Sequence, residues 1–223
     1  MDDLLCNDTL RARLAAHLAA HRRTASGDAR LRRSAVALVV VDSPEPPGVP
    51  GFADLPPRPE RASFLLTRRA AGLSRHRGQW ALPGGRIDPG EDAVAAALRE
   101  LTEEVGLALD RSAVLGLLDD YPTRSGFAIT PVVVWGGRVP ALEPDPAEVA
   151  SVHRIPLREL YRPDAPELRV VRPGEAPVLR MPVGELGGVF APTGAILYQF
   201  REVALEGRPT RVAHFEAPDF ARR

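Results

Sequence analysis

One stretch constrains this chain more than any other: GGRIDPGEDAVAAALRELTEEVGL, residues 84–107. Wound at about 100° per residue, Val94, Leu98, Leu101 and Val105 fall in one narrow stripe. That spacing predicts a helix over residues 89–105 with a core face. Asp88 is expected as its N-cap, Pro89 at the first helical position and Glu91 three residues after the cap, a capping-box arrangement. Glu100, Glu103 and Glu104 crowd into five positions and are expected on the side away from the core. Like charges at i,i+4 cost a few tenths of a kcal/mol per pair, and Arg99 is the one base close by. A solvated face is the plain reading of such a helix. Convergent carboxylates are also the hard-oxygen surroundings that Mg²⁺ or Mn²⁺ prefers, and a bound cation would relieve the repulsion.

The rest of the chain supplies a globular frame for that helix. It has 223 residues, enough for one sizeable domain. Twenty-nine basic and 29 acidic residues cancel, so no overall charge drives it toward nucleic acid or membrane. No lysine occurs, so arginine enrichment carries meaning only where position supports it. A single cysteine, Cys6, excludes an intramolecular disulfide. No apolar run reaches the roughly 18 residues of a membrane span, and the acidic start MDDLLCND lacks a signal-peptide layout. A cytoplasmic protein is expected.

Leu10, Leu14 and Leu18 predict an amphipathic helix over residues 8–21, capped by Asp8. Strands are predicted at 34–42, 62–69, 112–121, 127–135 and 149–156, the first two paired with each other. The proline-rich segment 43–60 reads as a loop, and 136–148 as another. A short helical turn is expected at 157–161, short strands near 169–171 and 178–181, and a last helix at 191–205 with Thr193 near its start. The expected organisation is a helical extension over 1–33, one domain over 34–206 and a tail over 207–223.

Gly85, Glu91, Arg99-Glu100-Leu101, Glu103-Glu104 and Gly106-Leu107 stand at the spacing GX5EX7REUXEEXGU, with U aliphatic. This is similar, at every position, to the Nudix box of the Nudix hydrolases. The resemblance implies an α/β/α sandwich with a mixed sheet, in which the box forms a loop–helix–loop metal site for Mg²⁺ or Mn²⁺. It implies Glu100, Glu103, Glu104 and the Gly85 carbonyl as metal ligands, and Arg99 as the residue that orients a catalytic glutamate. Glu91 and Gly106 take structural places in the motif. Glu100 or Glu103 is the candidate general base, with Glu148 a later alternative. The implied reaction is attack of water on a phosphorus of a nucleoside diphosphate derivative, and the implied assembly a homodimer.

The segment LLTRRAAGLSRHRGQWALPGG, residues 65–85, resembles the signature of the coenzyme A pyrophosphatase branch of that family. Leu65, Leu66, Thr67, Arg69, Ala70, Gly78, Pro83, Gly84 and Gly85 match; Ser74 departs from an arginine and Leu82 from a phenylalanine. Arg68, Arg69, Arg75, His76 and Arg77 form a basic run suited to phosphate groups. Trp80 and Phe127 are candidates to stack on a base, with core packing the alternative. Coenzyme A or its thioesters are the expected substrate class. ADP-ribose, a nucleoside diphosphate sugar or a nucleoside triphosphate is the alternative within the same chemistry. A non-catalytic ligand-sensing module is the alternative outside it.

Overall fold

In the computed structural model the described residues are 4–43, 60–72, 78–139, 141–170, 176–185 and 187–216. Ser74, Arg75, His76 and Arg77, and most of the proline-rich loop, lie outside them.

Alternation along residues 32–41 sets the architecture. Ala35, Ala37, Val39 and Val41 enter one apolar cluster, and Leu38 and Val40 enter a second on the opposite face. A strand buried on both sides needs a helical layer on each. The elements that supply them run α1 (Asp8–Ala20), β1 (Arg32–Val41), β2 (Ser63–Arg69), β3 (Trp80–Ala81), β4 (Gly84–Arg86) and α2 (Ala93–Val105). They continue with β5 (Val114–Leu117), β6 (Tyr121–Pro122), β7 (Phe127–Gly137), β8 (Val149–Pro156), β9 (Glu167–Arg169), β10 (Val178–Met181), β11 (Val189–Phe190) and α3 (Thr193–Gln199). α2 covers one face through Ala97, Leu98, Leu101 and Val105. α1, α3 and the π-helical turn Phe200–Leu205 cover the other, where Leu10, Leu14 and Leu18 share a cluster with Phe64 and Phe200. The fold is an α/β/α sandwich.

The main sheet has eight strands and is mixed: β1 and β7 run parallel, and the other pairings are antiparallel. One edge of β1 is divided between two partners. Ser34, Ala35 and Val36 pair with Arg86, Gly85 and Gly84 of β4, while Val40 and Val41 pair with Phe64 and Ser63 of β2. Between them Ala37 N–H donates to Pro83 O at 2.8 Å. β9, β10 and β11 form a separate three-stranded sheet.

Three local expectations change. The cap of α1 is Asn7, whose Oδ1 accepts the Leu10 N–H at 3.0 Å, rather than Asp8. α2 begins at Ala93, not at 89: Gly90 adopts φ 90°, which an α-helix excludes, and Asp92 becomes the cap, accepting Ala95 N–H at 2.8 Å. The contact expected of Glu91 survives in the preceding turn, where its Oε2 accepts Asp88 N–H at 3.1 Å. The strand expected over 112–121 is a 3₁₀ turn at Arg111–Ala113 followed by β5 and β6. It breaks because the amides of Asp119 and Asp120 leave the ladder for Gln199 Oε1 and Thr24 O.

Candidate active site

The loop before α2 is part of the sheet, so its backbone is fixed before any side chain is considered. Both of its glycines are required by close approach. A Cβ on Gly84 would lie 2.7 Å from Val36 Cα, and one on Gly85 would enter the Glu100 carboxylate. Gly84 N–H donates to Glu104 Oε2 at 3.2 Å, which ties this loop to the last turn of α2. At the far end Gly106 takes φ 72° and closes the helix through its N–H to Thr102 O at 3.0 Å.

Arg99 organises the acidic groups. Its Nε and Nη2 fork onto the two oxygens of Glu91 at 2.9 and 3.2 Å. Its Nη1 donates to Glu100 Oε1 at 3.0 Å and to Glu103 Oε2 at 2.8 Å, and Nη2 also reaches Arg86 O at 3.1 Å. One planar guanidinium thus spans the loop, the helix and both outward carboxylates, a task its forked donors suit.

Glu104 departs from its expected place. At about 100° per residue it stands beside Ala97 and about 60° from Leu101, on the flank of the core stripe rather than opposite it. It is 3% exposed, roofed by the 84–85 loop. Burial pushes its carboxyl up to about 7, against the lowering effect of the Gly84 N–H. Burial also raises Glu100, with Arg99 opposing. Glu103 is exposed.

The 141–148 segment is laid across the end of α2. Glu143 N–H donates to Val105 O at 3.0 Å, and Asp145 N–H to Glu104 O at 3.2 Å. Glu148 follows, its carbonyl accepting Ala70 N–H at 2.8 Å, and its charge contributes to raising both Glu100 and Glu104. The structure therefore brings Glu148 to the box.

It separates Arg68 from Arg69. Successive side chains of β2 point to opposite faces. Arg69 faces α2, with Nη1 4.0 Å from Glu104 Oε1 and a buried Nε that has no hydrogen-bond partner among the described residues. Arg68 lies on the other face, with its guanidinium 5.8 Å from the Trp80 ring centroid. Trp80 packs against the α1–α3 side of the core and meets His153 edge-on at 5.3 Å. Phe127 carries the Arg32 guanidinium at 4.0 Å from its ring centroid.

The residues fit a hard divalent cation. Three carboxylates and the Gly85 carbonyl are oxygen donors of the right class, and two of those carboxylates are under desolvation stress that a cation would relieve. Among the described residues no three acidic, histidine or cysteine side chains are already closed around one point. Arg99 serves as the countercharge between Glu100 and Glu103 instead.

Two contributors escaped the sequence reading: the Gly84 amide, and the 141–148 segment as a cover for the helix end. A glycine pair before an acidic helix signals the first. No residue pattern signals the second.

Residues 53–176, more than half of the chain, match the family model described as NUDIX domain. A protein of Photorhabdus laumondii named uncharacterized Nudix hydrolase NudL is 37% identical over 132 residues, covering 57% of this chain and 60% of its own. The protein of that name from Yersinia pestis is 39% identical over 132 residues, 57% of either chain. The matched region thus spans less than two thirds of these relatives. Among solved structures, a MutT protein from Methanosarcina mazei Go1 aligns with a TM-score of 0.42 at 21% identity, covering 63% of this chain and 83% of that one. The NUDIX domain of Shewanella oneidensis NrtR complexed with ADP ribose aligns with a TM-score of 0.40 at 20% identity, covering 60% and 78%.

Proposed function

The chain belongs to the Nudix family, and on that premise we propose that it is a divalent-cation-dependent pyrophosphohydrolase of nucleoside diphosphate derivatives. The observation that carries this reading is the gathering of Glu100, Glu103 and Glu104 beside Gly85 by one guanidinium and one backbone amide. A cation bound there would neutralise phosphate oxygens and lower the pKa of water. Glu100, Glu103 and Glu104 with the Gly85 carbonyl would hold it.

In the reaction a water oxygen bonds to one phosphorus and the bridging P–O bond breaks. The departing phosphate keeps the electron pair, and a carboxylate takes the water proton. Glu100 or Glu103 would accept it, with Glu148 the alternative. Arg99 fixes the orientation of the first two. Arg69, on the α2 face of β2 with Nη1 4.0 Å from Glu104 Oε1, would meet a phosphate oxygen through the exposed end of its guanidinium.

Coenzyme A or an acyl-coenzyme A is the proposed substrate. The resemblance of residues 65–85 supports it, and the products would be adenosine 3′,5′-bisphosphate and 4′-phosphopantetheine or its acyl form. The test presents coenzyme A, acetyl-coenzyme A, ADP-ribose, a sugar nucleotide and a deoxynucleoside triphosphate to the purified protein with Mg²⁺ or Mn²⁺, with products identified by mass. Preferred cleavage of coenzyme A is expected. Preference for another nucleotide would overturn the substrate, and no cation-dependent cleavage of any would overturn the reaction.

A further inference from the structure

On the face of the sheet opposite α2 lies an open depression of about 450 Å³. That is within the size range of small-molecule sites and far above the roughly 30 Å³ of one water. Arg13, Arg201 and Arg208 line it together with Glu206, Tyr161 and Leu4. The elements are α1, the turn Leu157–Tyr161 and the π-helical turn with the residues just after it.

Among the described residues the charges around this depression do not cancel. Arg208 forks onto Glu202 through Nε at 2.7 Å and Nη2 at 2.8 Å, and reaches Glu206 with Nη1 at 3.4 Å. Arg201 gives Nε to Glu202 at 2.9 Å and Nη1 to the carbonyls of Leu160 and Ala165 at 2.8 and 2.9 Å. Its Nη2 has no acceptor among the described residues. The Tyr161 hydroxyl donates to Glu206. Arg13 has neither a hydrogen bond nor a carboxylate partner among the described residues, although its charge reaches Tyr161. Among the described residues three guanidinium groups thus face two carboxylates, Glu202 and Glu206, leaving one positive charge in excess.

The Arg201 guanidinium is held rigid by its carbonyl acceptors and by the Tyr198 ring, 4.9 Å from its centroid. A pinned guanidinium with a free edge, beside an unpaired one, is a pre-organised receptor for a planar or tetrahedral oxyanion. Leu4 and the Tyr161 ring add apolar wall. We propose that this depression is a second ligand site, for a small molecule carrying a phosphate or carboxylate on an apolar or aromatic body. The headgroup meets Arg13 and Arg201, and the body lies along Leu4 and Tyr161.

The experiment is calorimetric titration of the full chain with phenyl phosphate, benzoate and inorganic phosphate in the presence of a chelator, comparing the wild type with Arg13→Glu. Hydrogen exchange locates the bound ligand. Binding of phenyl phosphate or benzoate at least tenfold weaker in Arg13→Glu, with protection confined to residues 4–20, 157–161 and 200–208, is expected. The tighter of the two names the headgroup, and weaker binding of inorganic phosphate shows that the apolar wall contributes. Arg13 is exposed, so the variant is expected to keep the wild-type melting temperature. Equal affinity in the variant, protection at α2, or no binding of any probe by the wild type would overturn the proposal. None of these outcomes depends on hydrolytic activity.

Discussion

Gly84 N–H donates to Glu104 Oε2 across 3.2 Å, from a short strand paired with β1 to a carboxylate that is 3% exposed. This single contact places an acid inside the protein, under the loop that precedes its own helix.

Its first consequence is a pH dependence. The Glu104 carboxyl ordinarily titrates at 4.5 and is pushed up to about 7 by burial. Between those values the folded state keeps a proton that the unfolded state has released, so stability falls as pH rises through this window. The loss amounts to roughly 3 kcal/mol for such a shift. Glu104→Gln keeps an acceptor for the Gly84 amide and removes the titration. Urea unfolding of the metal-free protein at pH 5 and pH 8 is expected to show a fall for the wild type and a much smaller one for the variant. Equal slopes would mean that Glu104 is not desolvated. With Mg²⁺ present, the same variant is expected to lose about a hundredfold or more in turnover.

The two box glycines are expected to fail differently. In Gly84→Ala the new methyl meets backbone, Val36 Cα at 2.7 Å, which cannot retreat without shifting β1. A loss of about 1–3 kcal/mol in unfolding free energy is expected. In Gly85→Ala it meets the end of the Glu100 side chain, which can swing away. That variant is expected to fold with a small stability loss and to lose hydrolysis, read by thermal melting and product formation on the same sample.

Arg99 and Glu91 are expected to be energetically coupled. Two hydrogen bonds, at 2.9 and 3.2 Å, join them across eight residues. A double-mutant cycle of Arg99→Gln and Glu91→Gln, followed by urea unfolding, is expected to give a favourable coupling, weakened by the exposure of both groups. Additive losses would show that Glu91 shapes the loop independently of Arg99. Arg99→Lys is expected to recover little activity, because an ammonium cannot span four acceptors in one plane.

A fourth expectation concerns the chain ends. Asp119 is buried, which raises its carboxyl, but donors from Thr24 N–H, Arg211, Gln199 and His21 outweigh burial and hold it below the ordinary range. Its contribution to stability is present above pH 3.8 and is lost as pH falls through the lowered folded value. Gln199 is fully buried and bonded to both the amide and the carboxylate of Asp119 and to Thr210 O. Gln199→Leu removes the partner of the Asp119 N–H and of Thr210 O and one of the donors to the Asp119 carboxylate, and a loss of about 1–3 kcal/mol is expected in denaturant unfolding. It is also expected to raise the acid-unfolding midpoint.

The β1 strand was legible because every second residue is apolar on each face, and the box helix because its apolar stripe has a helical period. The start of α2 was misread because Asp88 and Asp92 are both competent caps, and only the left-handed turn at Gly90 decides between them. The burial of Glu104 was hidden for a different reason. A helical wheel locates a residue relative to its own helix, while the covers over this flank come from Gly84 and from residues 143–145. The Asp119–Gln199 pair spans 80 positions and carries no local pattern at all. Glu148 was recoverable as a residue but not as a neighbour, since its approach depends on the 141–148 segment folding back over the helix end.

The divided edge of β1 anchors two parts of the site separately. The carboxylate loop is measured from Ser34–Val36, and the Arg69 strand is anchored at Val40–Val41, further along the same backbone. Past Phe64, β2 diverges from β1 and β3 takes that edge at Thr67 and Arg68, while β8 pairs along the other edge from Ser63 to Arg69. Substitutions that tilt β2 would therefore change the span between Arg69 and the carboxylates while leaving the carboxylates in register. One fixed set of carboxylates could thus be combined with different spans to Arg69.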